Sequence, residues 1–190
     1  MKADWIGNIL SGEKDHQSVE LKGWVHRSRG SNNMRFVVLR DSTGTIQCVV
    51  KRDIVGDEMF EAVKSALIES SLIFKGTVLP TDREHGHEIQ VQNVEIVGPV
   101  NPDRPYPITE SVMDVENLSE NAFLLDNRHL YLRTERMTRM LKIRSSVFGA
   151  IHQYFRHHDF IEYQAPNFVA GAVEGGSTLF EVPYFPTEEN

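Results

Sequence analysis

A chain of 190 residues, 40% apolar and 25% charged, has the composition of a folded protein rather than a disordered one, with room for one large domain or two small ones. Its single cysteine, Cys48, excludes an internal disulfide and a thiolate-rich zinc site. No run approaches the ~20 apolar residues needed to span a bilayer, and Met1-Lys2-Ala3-Asp4-Trp5 lacks the charged-then-apolar layout of a secretory signal, so a cytoplasmic protein without membrane association is expected. The net charge of -7 hides an uneven distribution: residues 20–52 hold seven basic and two acidic side chains, a local balance of +5, which leaves -12 for the remainder. A basic segment on an acidic chain suits local attraction of a polyanion, although scattered solvated charges have the same composition.

Residues 19–27 have strand composition, and Met34–Arg40 reads as a second strand that ends at the turn signal Asp41-Ser42-Thr43-Gly44. Thr45–Lys51 is the returning strand, with Cys48 expected to be packed inside. An amphipathic helix over 57–68 and strands over 72–79 and 88–97 complete the order β-β-β-α-β-β. That is the order of an OB barrel, whose outer face and loops bind single-stranded nucleic acid in many proteins. Trp24 is expected in the core. His85-Gly86-His87 is read as a hairpin tip, because a metal site would need further ligands that the neighbouring sequence lacks.

Four of the eight prolines fall within 99–107, where fixed φ angles and missing N–H donors prevent regular structure, so a linker is expected there. Thr134 can cap a long helix in which Met137, Met140, Leu141, Val147, Phe148, Ile151, Tyr154 and Phe155 recur at three- and four-residue spacing. Burial of each would contribute roughly 1.5–3 kcal/mol, and residues after the linker offer little to cover them, so downstream sequence or a second subunit is expected to do so. His157-His158 would face the helix C-terminal dipole. Phe160-Ile161-Glu162-Tyr163 is a short strand candidate, followed by Pro166 and the loop Glu174-Gly175-Gly176-Ser177-Thr178-Leu179-Phe180. Paired glycines let that loop swing or approach a ligand, and Glu174 is an acceptor suited to an ammonium group.

Gly23-Trp24-Val25-His26-Arg27-Ser28-Arg29, then Leu125-Asp126-Asn127-Arg128-His129-Leu130-Tyr131-Leu132-Arg133, the long helix, Pro166 and the Glu-Gly-Gly loop together resemble the class II aminoacyl-tRNA synthetases that charge aspartate, asparagine and lysine. The resemblance runs from about residue 19 to 185. It implies an N-terminal five-stranded OB-fold anticodon-binding domain over 1–98, a hinge over 99–117, and over 118–190 the start of an antiparallel α/β catalytic domain with its motif 1 helix and strand. By that likeness Phe36 and Gln47 read the central anticodon base, Arg27 and Arg29 meet phosphates and Glu88 contacts the first anticodon base. Phe148, Ile151, Phe155 and Pro166 would lie in a motif 1 homodimer interface. Glu174, Gly175, Gly176 and Ser177 would form a lid over the amino acid, with Glu174 on its α-ammonium. Ser177-Thr178-Leu179-Phe180 is more similar to asparaginyl than to aspartyl enzymes.

The implied activity is ATP- and Mg²⁺-dependent activation of asparagine and its transfer to tRNA. An aspartyl enzyme, including one that charges both tRNAs, and a stand-alone tRNA-binding or dimerisation module are the alternatives. The sequence holds neither motif 2, for which Phe155-Arg156-His157-His158 lacks the Glu, nor motif 3. No catalytic residue, bound cofactor or metal is therefore expected in these 190 residues alone. Pattern leaves Phe36 open: alternation puts Phe36 and Val38 on one face and Val37 and Leu39 on the other, without saying which faces out.

Overall fold

The computed structural model describes residues 4–82, 86–108 and 118–165. They form two compact units, Met1–Asp126 and Asn127–Asn190. The first unit contains α1 (Ile6–Leu10), β1 (Ser18–Gly30), β2 (Met34–Arg40), β3 (Thr45–Lys51), α2 (Arg52–Val55), α3 (Asp57–Ser65), β4 (Ser71–Pro80), β5 (His87–Gly98) and α4 (Leu118–Asp126). The second contains α5 (Arg128–Tyr131) and α6 (Glu135–His157).

The five strands close into a barrel in the order β1-β2-β3-β5-β4, with β3 and β5 parallel and the other pairs antiparallel. This is the expected OB barrel. Strand β1 pairs with β4 through its first half and with β2 through its second, and a bulge between Val25 and Arg27 marks the change of partner. Closure also needs a close strand approach at Gly76, where a Cβ would stand 2.3 Å from the carbonyl oxygen of Gln90. Period-2 burial fills the interior with Val19, Leu21, Val25, Val37, Leu39, Ile46, Cys48, Val50, Leu72, Phe74, Val78, Ile89 and Val91, as alternation demands.

Helix α3 contributes Phe60 and Val63 to this core, and α1 contributes Ile6 and Ile9. α3 stops at Ser65, three residues short of the expected end, because the chain must turn to reach β4: Glu69 N donates to Val25 O at 2.7 Å and Val25 N to Ser70 O at 2.9 Å. α1 is too short to show a sequence periodicity, and Asp41 fixes it. The buried Asp41 carboxylate accepts from Ile6 N at 2.9 Å, from Thr43 N and Thr43 Oγ1 at 2.6 Å, and from Gly44 N at 2.9 Å. One side chain therefore closes the β2–β3 turn and caps a helix 35 residues earlier.

Residues 99–108 contain no helix or strand, as their prolines require. In the second unit Thr134 caps α6 as expected, its Oγ1 accepting from Met137 N at 3.4 Å. No residue of α6 is buried, and the apolar stripe, including Phe148, Ile151 and Phe155, is exposed. The helix ends in a Schellman motif: Phe160 N donates to Phe155 O at 3.1 Å and Asp159 N to Arg156 O at 3.2 Å, with Asp159 at φ 64°. The accompanying apolar contact is the edge-to-face pair of Phe155 and Phe160, 5.3 Å between centroids. His158 Nδ1 lies 2.8 Å from the Tyr154 carbonyl oxygen, the last-turn contact anticipated for this histidine.

The strand expected at 160–163 is not formed. The Schellman turn reverses the chain, and Glu162 is drawn back onto α6, 2.6 Å from Arg156 Nη2 and 3.2 Å from His152 Nδ1. A strand also needs a neighbouring strand to satisfy its backbone, and the described residues of this unit supply none.

Candidate nucleic-acid interface

The register of β1, β2, β3 and β5 builds the candidate site. On the outer surface of the barrel one row runs Arg27, Val38, Gln47, Glu88, and the next runs Arg29, Phe36, Val49, Gln90. The five residues singled out on the barrel, Arg27, Arg29, Phe36, Gln47 and Glu88, thus occupy two adjacent rows of one face. Phe36 is half-buried and its strand neighbours Val37 and Leu39 fill the core, which resolves the question that alternation left open.

The bulge in β1 is what brings the arginines to this face. Before it the odd-numbered residues Val19, Leu21, Gly23 and Val25 point inward; continued unchanged, that phase would have carried Arg27 and Arg29 into the barrel. One extra residue, His26, reverses the phase and turns both guanidinium groups to solvent. Trp24, expected in the core, lies before the bulge at an even position and therefore faces out, 38% exposed; this corrects the sequence reading.

Within the face, Gln47 Nε2 donates to Glu88 Oε2 at 3.2 Å, so an amide able to donate and accept sits beside a carboxylate that only accepts. Along the outer surface, Arg40 makes a two-pronged ion pair with Glu69, at 2.8 and 3.0 Å, with both side chains largely shielded. Behind the face, burial pushes the Cys48 thiol far above its ordinary range, leaving it inert. At the start of β5, next to Glu88, His87 Nε2 lies 2.8 Å from Asp15 Oδ1, and Thr81 N donates to Gly86 O at 2.9 Å across the β4–β5 hairpin tip. Glu174, Gly175, Gly176, Ser177 and Pro166 lie outside the described residues.

Two family matches agree with this architecture. Residues 19–97 match the OB-fold nucleic acid binding domain, and residues 120–188 match tRNA synthetases class II (D, K and N). The chain thus joins an OB-fold nucleic acid binding domain to a segment that matches the class II tRNA synthetases of that group.

Within the group its relatives include asparagine–tRNA ligases. That of Symbiobacterium thermophilum is 40% identical over 97% of this chain and 40% of its own length; that of Thermoplasma acidophilum is 40% identical over 88% and 37%. Among solved structures, asparaginyl-tRNA synthetase from Pyrococcus horikoshii complexed with asparaginyl-adenylate superposes with a TM-score of 0.79 at 32% identity, over 97% of this chain and 41% of that one. The chain thus spans about two fifths of the length of these relatives. An aspartyl tRNA synthetase from Entamoeba histolytica, TM-score 0.73 at 21% identity over 90% of this chain and 40% of that one, shares the fold.

Proposed function

We propose that this chain serves an asparagine–tRNA ligase, in which asparagine is activated with ATP and Mg²⁺ and transferred to its tRNA, and that the outer barrel face receives the anticodon loop. The observation that carries the second half is the convergence of Arg27, Arg29, Phe36, Gln47 and Glu88 on two adjacent rows of one surface. An aromatic ring paired across the strands with Arg29, with Arg27 in the neighbouring row, suits an unpaired base with its flanking phosphates. The Gln47 amide, oriented by Glu88, can pair with a pyrimidine edge. The first half is supported by the asparagine ligases among the relatives.

Within this reading the chain divides into the barrel domain at 1–98, a hinge at 99–117 and the beginning of the catalytic domain at 118–190, with α6 pairing two copies of a cytoplasmic homodimer. Glu174, Gly175, Gly176 and Ser177 close over the amino acid. ATP and Mg²⁺ belong to the whole activity. Among the described residues no cluster of three or more His, Cys, Asp or Glu side chains is grouped to hold a metal, and the sequence has no motif 2 or 3 to grip ATP. No chemical step is therefore assigned to residues of this chain.

The test has two arms. The chain is titrated with RNA hairpins carrying an asparagine anticodon loop or a scrambled loop, and tighter binding of the first by at least about tenfold is expected. Equal binding removes the anticodon role. In parallel, the 190 residues alone are expected to give no asparagine-dependent ATP–pyrophosphate exchange, and exchange catalysed by this polypeptide would overturn that expectation.

A further inference from the structure

Glu88, which orients the Gln47 amide, stands where the backbone of the barrel is held least. The parallel pairing of β3 and β5 is only three residues long, shorter than the other four, and it begins with Gln47 opposite Glu88. On the other side β4 ends with Pro80 opposite His87, and a proline brings no N–H to that end of the ladder. A strand end with so few backbone bonds is prone to fray.

A side-chain clasp holds this end instead. His87 Nε2 lies 2.8 Å from Asp15 Oδ1, joining residues 72 apart in the sequence. A carboxylate only accepts, so Nε2 carries the imidazole proton and donates it. The His87 side chain is 14% exposed, and its Nδ1 is buried without a partner among the described residues. Asp15 is itself anchored: His16 N donates to Val78 O and Val78 N to Gln17 O, both at 3.0 Å, which binds the segment between α1 and β1 to β4. His16, at φ 60°, turns the chain between Asp15 and β1. Alternation completes the link. Ile89 and Val91 point into the core, so His87 is in the inward phase at the barrel rim and Glu88 is turned outward. Fixing the His87 ring therefore fixes the rotation of β5 at the residue that bonds Gln47.

We propose that Asp15 and His87 are positioning residues for base selection: their bond sets the start of β5, and through it the Glu88 carboxylate that aims the Gln47 amide. Both act through Glu88 and neither meets the RNA. This role rests on the reading that Gln47 faces an anticodon base.

The experiment uses the 190-residue chain, first without RNA. His87→Phe keeps a ring in place and removes the donor together with the orphaned nitrogen, so its thermal melt should stay close to that of the unaltered chain. In heteronuclear NMR spectra its Gln47 side-chain amide should move toward the position found in Glu88→Ala. Asp15→Ala should show the same shift, whereas Asp15→Asn, whose amide oxygen still accepts, should keep the original position. Hairpins with uridine or cytidine at the central loop position are then titrated. His87→Phe and Asp15→Ala should each lower discrimination about threefold, less than Glu88→Ala, which removes the carboxylate outright. In a Glu88→Ala background they should lower it no further. A merely structural contact would weaken binding of both hairpins equally. If the Gln47 amide keeps its position in the folded variants, or if discrimination is unaltered while Glu88→Ala reduces it, the positioning role is wrong and the base-reading face stands. If Glu88→Ala leaves discrimination unchanged and Phe36→Ala binds as the unaltered chain does, the reading falls and this role falls with it.

Discussion

The amide of Gln47 donates to the carboxylate of Glu88 at 3.2 Å across the parallel pairing of β3 and β5. A carboxylate cannot donate, so the contact turns the amide nitrogen toward Glu88 and leaves the amide oxygen to accept elsewhere. A uracil ring N–H is a match for that acceptor, whereas the same atom of cytosine carries no hydrogen. Glu88→Ala should therefore reduce discrimination between hairpins with uridine and cytidine at the central loop position by about fivefold, the worth of roughly one net hydrogen bond. Overall affinity should hold or rise, because a negative charge leaves an RNA-facing surface. Parallel titrations with the two hairpins read both effects, and unchanged discrimination would remove Glu88 from base selection.

Phe36 sits on the outer face with Val37 and Leu39 in the core beneath it, so its loss should separate binding from stability. Phe36→Ala is expected to weaken hairpin binding by about tenfold or more, since a stacked base contributes roughly 1–3 kcal/mol. The unfolding free energy should fall by less than the 3–5 kcal/mol typical of a buried Phe→Ala change. Denaturant titration and RNA titration on the same preparation make the comparison. A core-sized stability loss with unchanged affinity would place the ring in a structural role.

Asp41→Ala tests the opposite case, a charged residue with no part in binding. Its carboxylate accepts from four donors and lies 8% exposed, so truncation strands buried N–H groups at the α1 terminus and the β2–β3 turn. A loss of about 2–4 kcal/mol is expected, with hydrogen exchange of the Ile6 and Gly7 amides accelerated before the rest of the barrel. Asp41→Asn should retain part of the stability, because its one remaining oxygen still accepts.

The barrel was largely legible because its signals are local. Met34–Arg40 and Thr45–Lys51 have the expected bounds, and the other strands differ by one to three residues at their ends. The extra residue at His26 leaves no local mark: composition marks 19–27 as a strand without giving its phase, and only the closed register with β2 and β4 shows the phase reversal that brings Arg27 and Arg29 outward. Trp24 was misassigned because its size suggests burial, whereas Gly23 and Val25 hold the two inward positions on either side. For 160–163 the composition was that of a strand, but a strand is decided by a neighbour, and Glu162 found Arg156 and His152 instead.

The ion pair of Arg52 with Glu61 has a pH signature. Hydrogen bonding to Arg52, aided by Lys64, holds the Glu61 carboxyl below the ordinary glutamate value, and Lys75 does the same for Glu20. For a depressed carboxyl the stabilisation is fully present above the unfolded-state value and is lost as pH falls through the folded-state value. The melting temperature should accordingly hold the full contribution of these pairs, unchanged with pH, between about pH 5 and 8, and should decline on acidification through and below the glutamate range. Glu61→Gln should make that acid limb shallower. Glu61 is solvent-exposed, so the change is small and is read by comparing the two proteins across pH.

In α6, Phe148, Ile151 and Phe155 are all exposed on a 23-residue helix with a formed N-cap and a formed C-terminal Schellman motif. Both ends being satisfied, the helix has no structural need for its apolar stripe, which is suited to packing against a second copy. If two copies pair there, each substitution acts twice in the symmetric interface. Phe148→Asp combined with Ile151→Asp should raise the dimer dissociation constant by about a hundredfold or more, because apolar contacts are lost and charges are placed where water is excluded. Sedimentation velocity over a concentration series would then show a monomer where the unaltered chain sediments as a dimer. Circular dichroism should retain the helical signal, since neither substitution touches a cap. Identical sedimentation of the two proteins at every concentration would exclude this face as the interface between copies.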